Sequence, residues 1–270
     1  MILIDGLIGS VIPADDRGFA YGDGVFRTLA MRNGHPEFWV RHYARLAADC
    51  AALAITPPSS AVLLADLHAV AVQMPECAIR ITVTRGSGRR GYAARPTLQP
   101  RRVVAAGPLP VYPESCRTNG VRVRYCDLRL AAQPRLAGVK HLNRLENVLA
   151  CAEWDDPAIA EGLLQDAAGQ VIGGTRSNLF IVEGDALATP DLSCCGVAGV
   201  TRDLVMEAAQ HHGMSCRIQA VDRRRLETAD EVFLVNSLIG VWPVAAVEDR
   251  TWSRYTVAQL MGKWLDAADR

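Results

Sequence analysis

Lysine is nearly absent from this 270-residue chain. Lysine and arginine together number 29, yet only Lys140 and Lys263 are lysines. Acidic residues also number 29, so the formal net charge is zero. A neutral chain lacks the electrostatic footprint of a nucleic-acid binder, whose affinity comes largely from neutralising phosphates. No run approaches the roughly 18 uninterrupted apolar residues of a membrane-spanning helix, so no contact with a membrane interior is expected. The opening MILIDGLIGSVIPADDRG has no basic start and meets acidic residues early. It does not read as a signal peptide, which makes the cytosol the expected compartment. The eight cysteines contain no C-x-x-C pair, and adjacent Cys194 and Cys195 do not make a zinc ligand set. Free thiols are expected. The six histidines show no spacing suited to a shared site, so no metal is expected either.

What is present is a large apolar fraction. Half the residues are hydrophobic, enough for one large domain or two modest ones. MILIDG reads as a short strand ending in an Asp5-Gly6 turn. VRHYARLAADCAALAI reads as a helix, with Ala44, Leu46, Cys50 and Leu53 on one broad face and Pro57-Pro58 beyond its end. LLADLHAVAVQM predicts a second helix. AIRITVTR alternates: Ile79, Ile81 and Val83 on one face, Arg80, Thr82 and Thr84 on the other, as in a half-buried strand. Asp15-Asp16 reads as a solvated turn. The stretch from Ala106 to Gly120 is rich in Pro, Gly and Ser and predicts an interdomain connection. Beyond it come strands at VRVRYC, GLLQD and QVI, and a hairpin in NLFIVEGDALATP turning at Glu183-Gly184-Asp185. A helix over VTRDLVMEAAQHH closes at Gly213. CRIQAV and EVFLVNS read as strands, and VAQLMGKWL as the last helix. The expected fold class is α/β of an α+β-like kind, in two lobes with largely antiparallel or mixed sheets. Residues 1–112 form one lobe, 113–120 the connection and 121–270 the other.

Lys140 stands before Leu142, Leu145, Leu149 and Ala152, which recur at helical spacing. The pattern predicts that it lies at or just before a helix start, where a desolvated amine becomes nucleophilic. Arginine cannot replace lysine in forming a Schiff base. A nucleophilic lysine points to a carbonyl substrate or to pyridoxal phosphate (PLP). A phosphate cradle is then needed, and GVAGVTRDLV offers small residues followed by Val200 and Thr201 entering a helix.

Several motifs occur together in order: YGDGVFRT (21–28), HYARL (42–46), RGSGRRGY (85–92), GVKHLNRLENVLA (138–150), SNLF (177–180), GVAGVTR (196–202) and VNSLIGVWPV (235–244). On these the chain resembles the class IV, or fold-type IV, PLP-dependent enzymes, over nearly its whole length. RGSGRRGY and GVKHLNRLENVLA are similar to the subgroup that cleaves aminodeoxychorismate. The resemblance implies that Lys140 bonds the PLP cofactor. It implies that Arg45, the Val200 and Thr201 backbone and the Ser237 hydroxyl hold the phosphate. Arg90 and Tyr92 would engage substrate carboxylates, for which arginine is well shaped. It further implies a homodimer and a lyase that eliminates pyruvate from aminodeoxychorismate. The alternatives are a D-amino-acid or branched-chain aminotransferase, and a non-catalytic protein of this fold. Two positions depart from the family pattern. Gly173 stands where a glutamate usually bonds the pyridine nitrogen, and Arg27 where aminotransferases often carry glutamate. The first weakens the electron sink that transamination needs.

Overall fold

A computed structural model describes residues 1–94 and 98–268. The described residues separate into two compact units. The first holds residues 1–110 and 139–143, the second 111–138 and 144–268. The chain thus crosses at Pro110-Val111, and residues 113–120 are part of the second unit rather than a free connection. The Lys140 segment returns to the N-terminal unit, where the sequence division places it in the C-terminal lobe.

The first unit runs β1 (Ile2–Ile4), β2 (Leu7–Ile8), α1 (Arg17–Tyr21), β3 (Gly24–Arg32), β4 (His35–Pro36), α2 (Trp39–Ala52), α3 (Ser60–Ala71), β5 (Cys77–Thr84) and β6 (Arg101–Gly107). Its sheet is antiparallel throughout the described strands, in the order β2-β1-β6-β5-β3-β4. The predicted alternation in β5 holds: Ile79, Ile81 and Val83 are buried. They pack with Val25, Leu29 and Met31 of β3 and with Leu46 and Cys50 of α2. Ala44 is exposed, however, and the buried positions of α2 are His42, Leu46, Asp49 and Cys50. Two polar side chains therefore enter a face that the apolar pattern assigns elsewhere. Asp16 is not a solvated turn residue. It is fully buried, caps α1 through Gly18 N–H at 2.8 Å, and accepts from Thr84 Oγ1 and Arg101.

The second unit runs α4 (Ser115–Thr118), β7 (Val121–Leu130), α5 (Leu145–Cys151), β8 (Ile159–Asp166), β9 (Val171–Gly174), β10 (Asn178–Glu183), β11 (Ala186–Pro190), α6 (Val200–His211), β12 (Ser215–Gln219), α7 (Arg223–Thr228), β13 (Glu231–Asn236), β14 (Gly240–Val247), β15 (Arg250–Thr251) and α8 (Thr256–Ala267). Its sheet has the order β12-β11-β10-β13-β14-β7-β8-β9, with β15 on β14. Parallel pairs β11·β12, β14·β7 and β7·β8 lie among antiparallel ones. The β10–β11 hairpin turns where its sequence predicts, with Glu183 opposite Ala186. One face of the sheet packs under α6 and α8 around Phe180 and Phe233, whose rings stack at 5.1 Å.

Candidate active site

The segment that holds Lys140 is extended, not helical. His141 bridges Val25 of β3, Phe26 N–H donates to the Lys140 carbonyl at 2.9 Å, and Leu142 N–H donates to the Gly24 carbonyl at 2.9 Å. Helix α5 begins only at Leu145, and Leu145, Val148 and Leu149 are exposed. The leucine spacing is real, but its first member belongs to a strand edge. Lys140 therefore gains nothing from a helix dipole. Its surroundings are set instead by β3 and α2 of the first unit.

The Lys140 amine lies 4.7 Å from the centre of the Phe26 ring, and the Arg80 guanidinium carbon lies 3.8 Å from the same centre. Two cations thus share one aromatic ring, an arrangement favourable to each through the ring quadrupole. Buried His42 faces the charges of Arg27 and Lys140. Burial first, then those two charges, push its imidazole down to about 3, so it is neutral at physiological pH. His42 Nδ1 has no hydrogen-bond partner among the described residues. Arg45 lies on α2, one turn after Arg41 and one turn before Asp49, and its charge acts on the Asp49 carboxylate. The first unit thus supplies Lys140 and Arg45.

Val200, Thr201 and Ser237 belong to the second unit. Gly199 caps α6 and has no side chain to satisfy the first-turn N–H groups, which helix geometry leaves without intrahelical partners. Such an end favours an anion. Thr201 Oγ1 and Ser237 Oγ stand 3.4 Å apart, so two hydroxyls meet at this end. The entry loop is fixed by Asn178, whose amide donates to Val197 C=O at 2.8 Å and accepts from Gly199 N–H at 3.0 Å. A Cβ on Gly199 would come within 2.4 Å of Asn178 Oδ1, so only glycine permits this approach. Sequence reasoning missed Asn178, although SNLF contains it. An amide at the second position of this four-residue motif signals a backbone clamp as readily as a ligand contact.

Gly173 is buried in β9, opposite Leu164. A Cβ there would approach the Ser177 carbonyl to 2.9 Å, so a side chain requires the following turn to move. The nearby buried carboxylate is Glu161, and its oxygens are occupied. They accept from the N–H groups of Gly162, Thr175 and Arg176 and from the hydroxyls of Thr175 and Ser177. Glu161 shapes the turn between β9 and β10 and has little capacity left for a ring nitrogen.

Arg90 and Tyr92 lie on an exposed loop. Tyr92 is 89% exposed and leans on Tyr21, with ring centres 5.6 Å apart. Arg17 holds the Gly91 and Tyr92 carbonyls at 2.8 and 2.9 Å, and Gly91 N–H donates to Tyr21 Oη. These bonds tie the loop to α1, not to Lys140.

A strand-edge lysine against an aromatic ring, a hydroxyl-flanked helix entry, one antiparallel sheet and one mixed sheet are the features that the class of this chain accounts for. The chain belongs to the amino-transferase class IV family, whose pattern matches residues 24–247. The fold is fold-type IV. Among its relatives is the aminodeoxychorismate lyase of Vibrio harveyi, 36% identical over 247 residues, spanning 92% of this chain and 91% of that one. The crystal structure of 4-amino-4-deoxychorismate lyase from Pseudomonas aeruginosa is 44% identical, with a TM-score of 0.95 over 99% of this chain and 98% of that one. The branch of aminotransferases is represented by a putative branched-chain-amino-acid aminotransferase of Methanocaldococcus jannaschii, 30% identical over 92% of this chain and 86% of that one. No helix among the described residues is long and apolar enough to cross a membrane.

Proposed function

We propose that this chain is a PLP-dependent 4-amino-4-deoxychorismate lyase, which eliminates pyruvate from aminodeoxychorismate and releases 4-aminobenzoate for folate biosynthesis. The observation that supports it best is the setting of Lys140, an amine held at a strand edge on a cation-bearing face, in a chain similar along its whole length to lyases. The donor set suits the cofactor. Lys140 offers the amine that bonds an aldehyde. Arg45, the Val200 and Thr201 N–H groups and the Ser237 hydroxyl offer a cation, a helix end and a hydroxyl to a phosphate. Assigning all of them to one cofactor rests on family membership.

When bound, PLP draws electrons from the carbon that carries the substrate amine. Lys140 Nζ, once free, takes the proton from that carbon as a general base. The ring C–O bond to the enolpyruvyl group then breaks, the ring becomes aromatic, and the departing enol takes up a proton as pyruvate. One C–H and one C–O bond are lost, and no oxidant or reductant is required. Neutral His42 adds no further positive charge beside the amine. Arg80, with no carboxylate partner among the described residues and only Thr82 Oγ1 at 3.4 Å, is suited to a carboxylate of this doubly anionic substrate. Arg90 and Tyr92 serve the same end from their loop. Aromatisation supplies driving force that transamination lacks, which fits a glycine at 173. We further assign a cytoplasmic location and a homodimer, the second supported by the exposed apolar row Leu145, Val148 and Leu149 on α5.

The test supplies aminodeoxychorismate to PLP-loaded protein. 4-Aminobenzoate and pyruvate are expected in equal amounts, with little exchange between D-alanine or branched-chain donors and 2-oxo acids. Absence of both products sinks the proposal, and dominant amino exchange transfers the chain to the aminotransferases. Lys140→Ala is expected to lower turnover by about a hundred-fold or more, the range of a lost general base.

A further inference from the structure

Arg27 lies in the core row of β3. Its neighbours on that face, Val25, Leu29 and Met31, are fully buried and apolar, and Arg27 itself is only 3% exposed. Its guanidinium reaches Asp49 of α2, which is 4% exposed, with Nε and Nη2 at 2.7 and 2.6 Å from one carboxylate oxygen. Burial raises the Asp49 carboxyl above its ordinary range, against the pull of Arg27, the Lys140 backbone N–H and Arg45. A buried pair of this kind is not a good stabiliser. Desolvating two charges offsets most of their attraction, and well-packed apolar residues of similar volume usually serve stability as well or better. Its place in the middle of an apolar row therefore calls for another reason.

That reason lies in what the two elements carry. Just before Arg27, Phe26 fixes the Lys140 carbonyl, and Gly24 and Val25 hold Leu142 and His141. Four residues before Asp49, one helical turn, stands Arg45. We propose that the Arg27–Asp49 ion pair is a positioning device: it fixes the distance between Lys140 on the β3 edge and Arg45 on α2, the two cofactor groups that the first unit supplies. A short, directional hydrogen bond from Nε, reinforced by the close charge contact of Nη2, holds a helix against a strand at one register. Apolar side chains filling the same space settle at more than one depth, because a core keeps its stability through such changes before it keeps its uniqueness. The inference rests on the PLP reading of Lys140 and Arg45.

The test compares wild type with the double variant Arg27→Met/Asp49→Leu. Thermal unfolding is measured without cofactor, and the PLP dissociation constant is measured by absorbance titration. The double variant is expected to unfold at the wild-type temperature or above, while its PLP dissociation constant rises at least tenfold. Keeping the charge without the Nε hydrogen bond, Arg27→Lys in the wild-type background, is expected to give an intermediate constant. A stable double variant that binds PLP as wild type does overturns the proposal. Should the double variant fail to fold, Arg27→Lys decides, and an unchanged constant there overturns it equally. Wild type that takes up no PLP sinks the cofactor reading, and this inference with it.

Discussion

At the scale of single residues, the chemistry of this chain turns on which cations have a carboxylate and which do not. Arg17, Arg27, Arg85, Arg101 and Arg102 each pair with an aspartate inside the first unit. Arg80 has instead the Phe26 ring that it shares with Lys140. Arg80→Met is expected to raise KM for aminodeoxychorismate, leaving PLP content unchanged. A hydrogen bond to a charged group is worth roughly 1.5–3 kcal/mol, which is about ten- to a hundred-fold in KM. Steady-state kinetics with PLP absorbance alongside reads both, and an unchanged KM removes Arg80 from the substrate side. Lys140 stands out in the sequence because arginine supplies nearly every other cation. Arg80 does not: an arginine on the outer face of an alternating strand looks like any solvated residue. Only the cross-strand position of Phe26 gives it a distinct role.

At the scale of elements, short-range signals were informative and long-range ones were not. The β5 alternation, the β10–β11 turn and the α6 start all follow from local patterns. The Lys140 segment did not, because its partner is β3, far back in the chain. Leucines at helical spacing suggested a helix that begins five residues later than the lysine. The same limit hid Asp16 and Asp49, buried polar residues whose arginine partners lie on other elements. Helix α2 also carries a pH signature. His42 stays neutral in the folded chain down to about 3, whereas the unfolded chain takes up a proton near the ordinary 6.5. The unfolded state binds more protons between those values, so this group lowers stability as pH falls through the window. Replacing His42 with Gln is expected to flatten the decline. Unfolding midpoints at pH 7 and pH 4.5 should differ less in the variant than in wild type. An equal difference contradicts the burial assigned to His42. At the α6 entry, Asn178→Ala leaves the Gly199 N–H and Val197 carbonyl without their clamp. About 1–3 kcal/mol of stability is expected to be lost, the range for unsatisfied buried polar groups, together with weaker PLP binding. Chemical denaturation checks the first and absorbance titration the second.

At the scale of the whole molecule, the two units are unequal readers of the sequence. The second is nearly continuous, and most of its strands could be drawn from apolar runs. The first is discontinuous: residues 139–143 return to it after the chain has crossed at Pro110-Val111. A lysine that seems to belong to the C-terminal lobe folds with the N-terminal one. The motif order nevertheless made the family recognisable, since motifs survive such reassignment. Gly173 remains the feature by which the lyase account is most exposed. A Cβ at Gly173 would crowd the Ser177 carbonyl, and the carboxylate of nearby Glu161 is already occupied by donors of that turn. The chemistry proposed must then proceed with a weaker electron sink, which elimination to an aromatic product permits. The central claim is that Lys140 carries PLP, and it is tested most directly by reducing PLP-loaded protein with borohydride and mapping the modified peptide by mass spectrometry. A pyridoxyl group on Lys140, absent from Lys140→Ala, is the expected result. A protein that binds PLP without any adduct at Lys140, or with the adduct at Lys263 instead, contradicts the account.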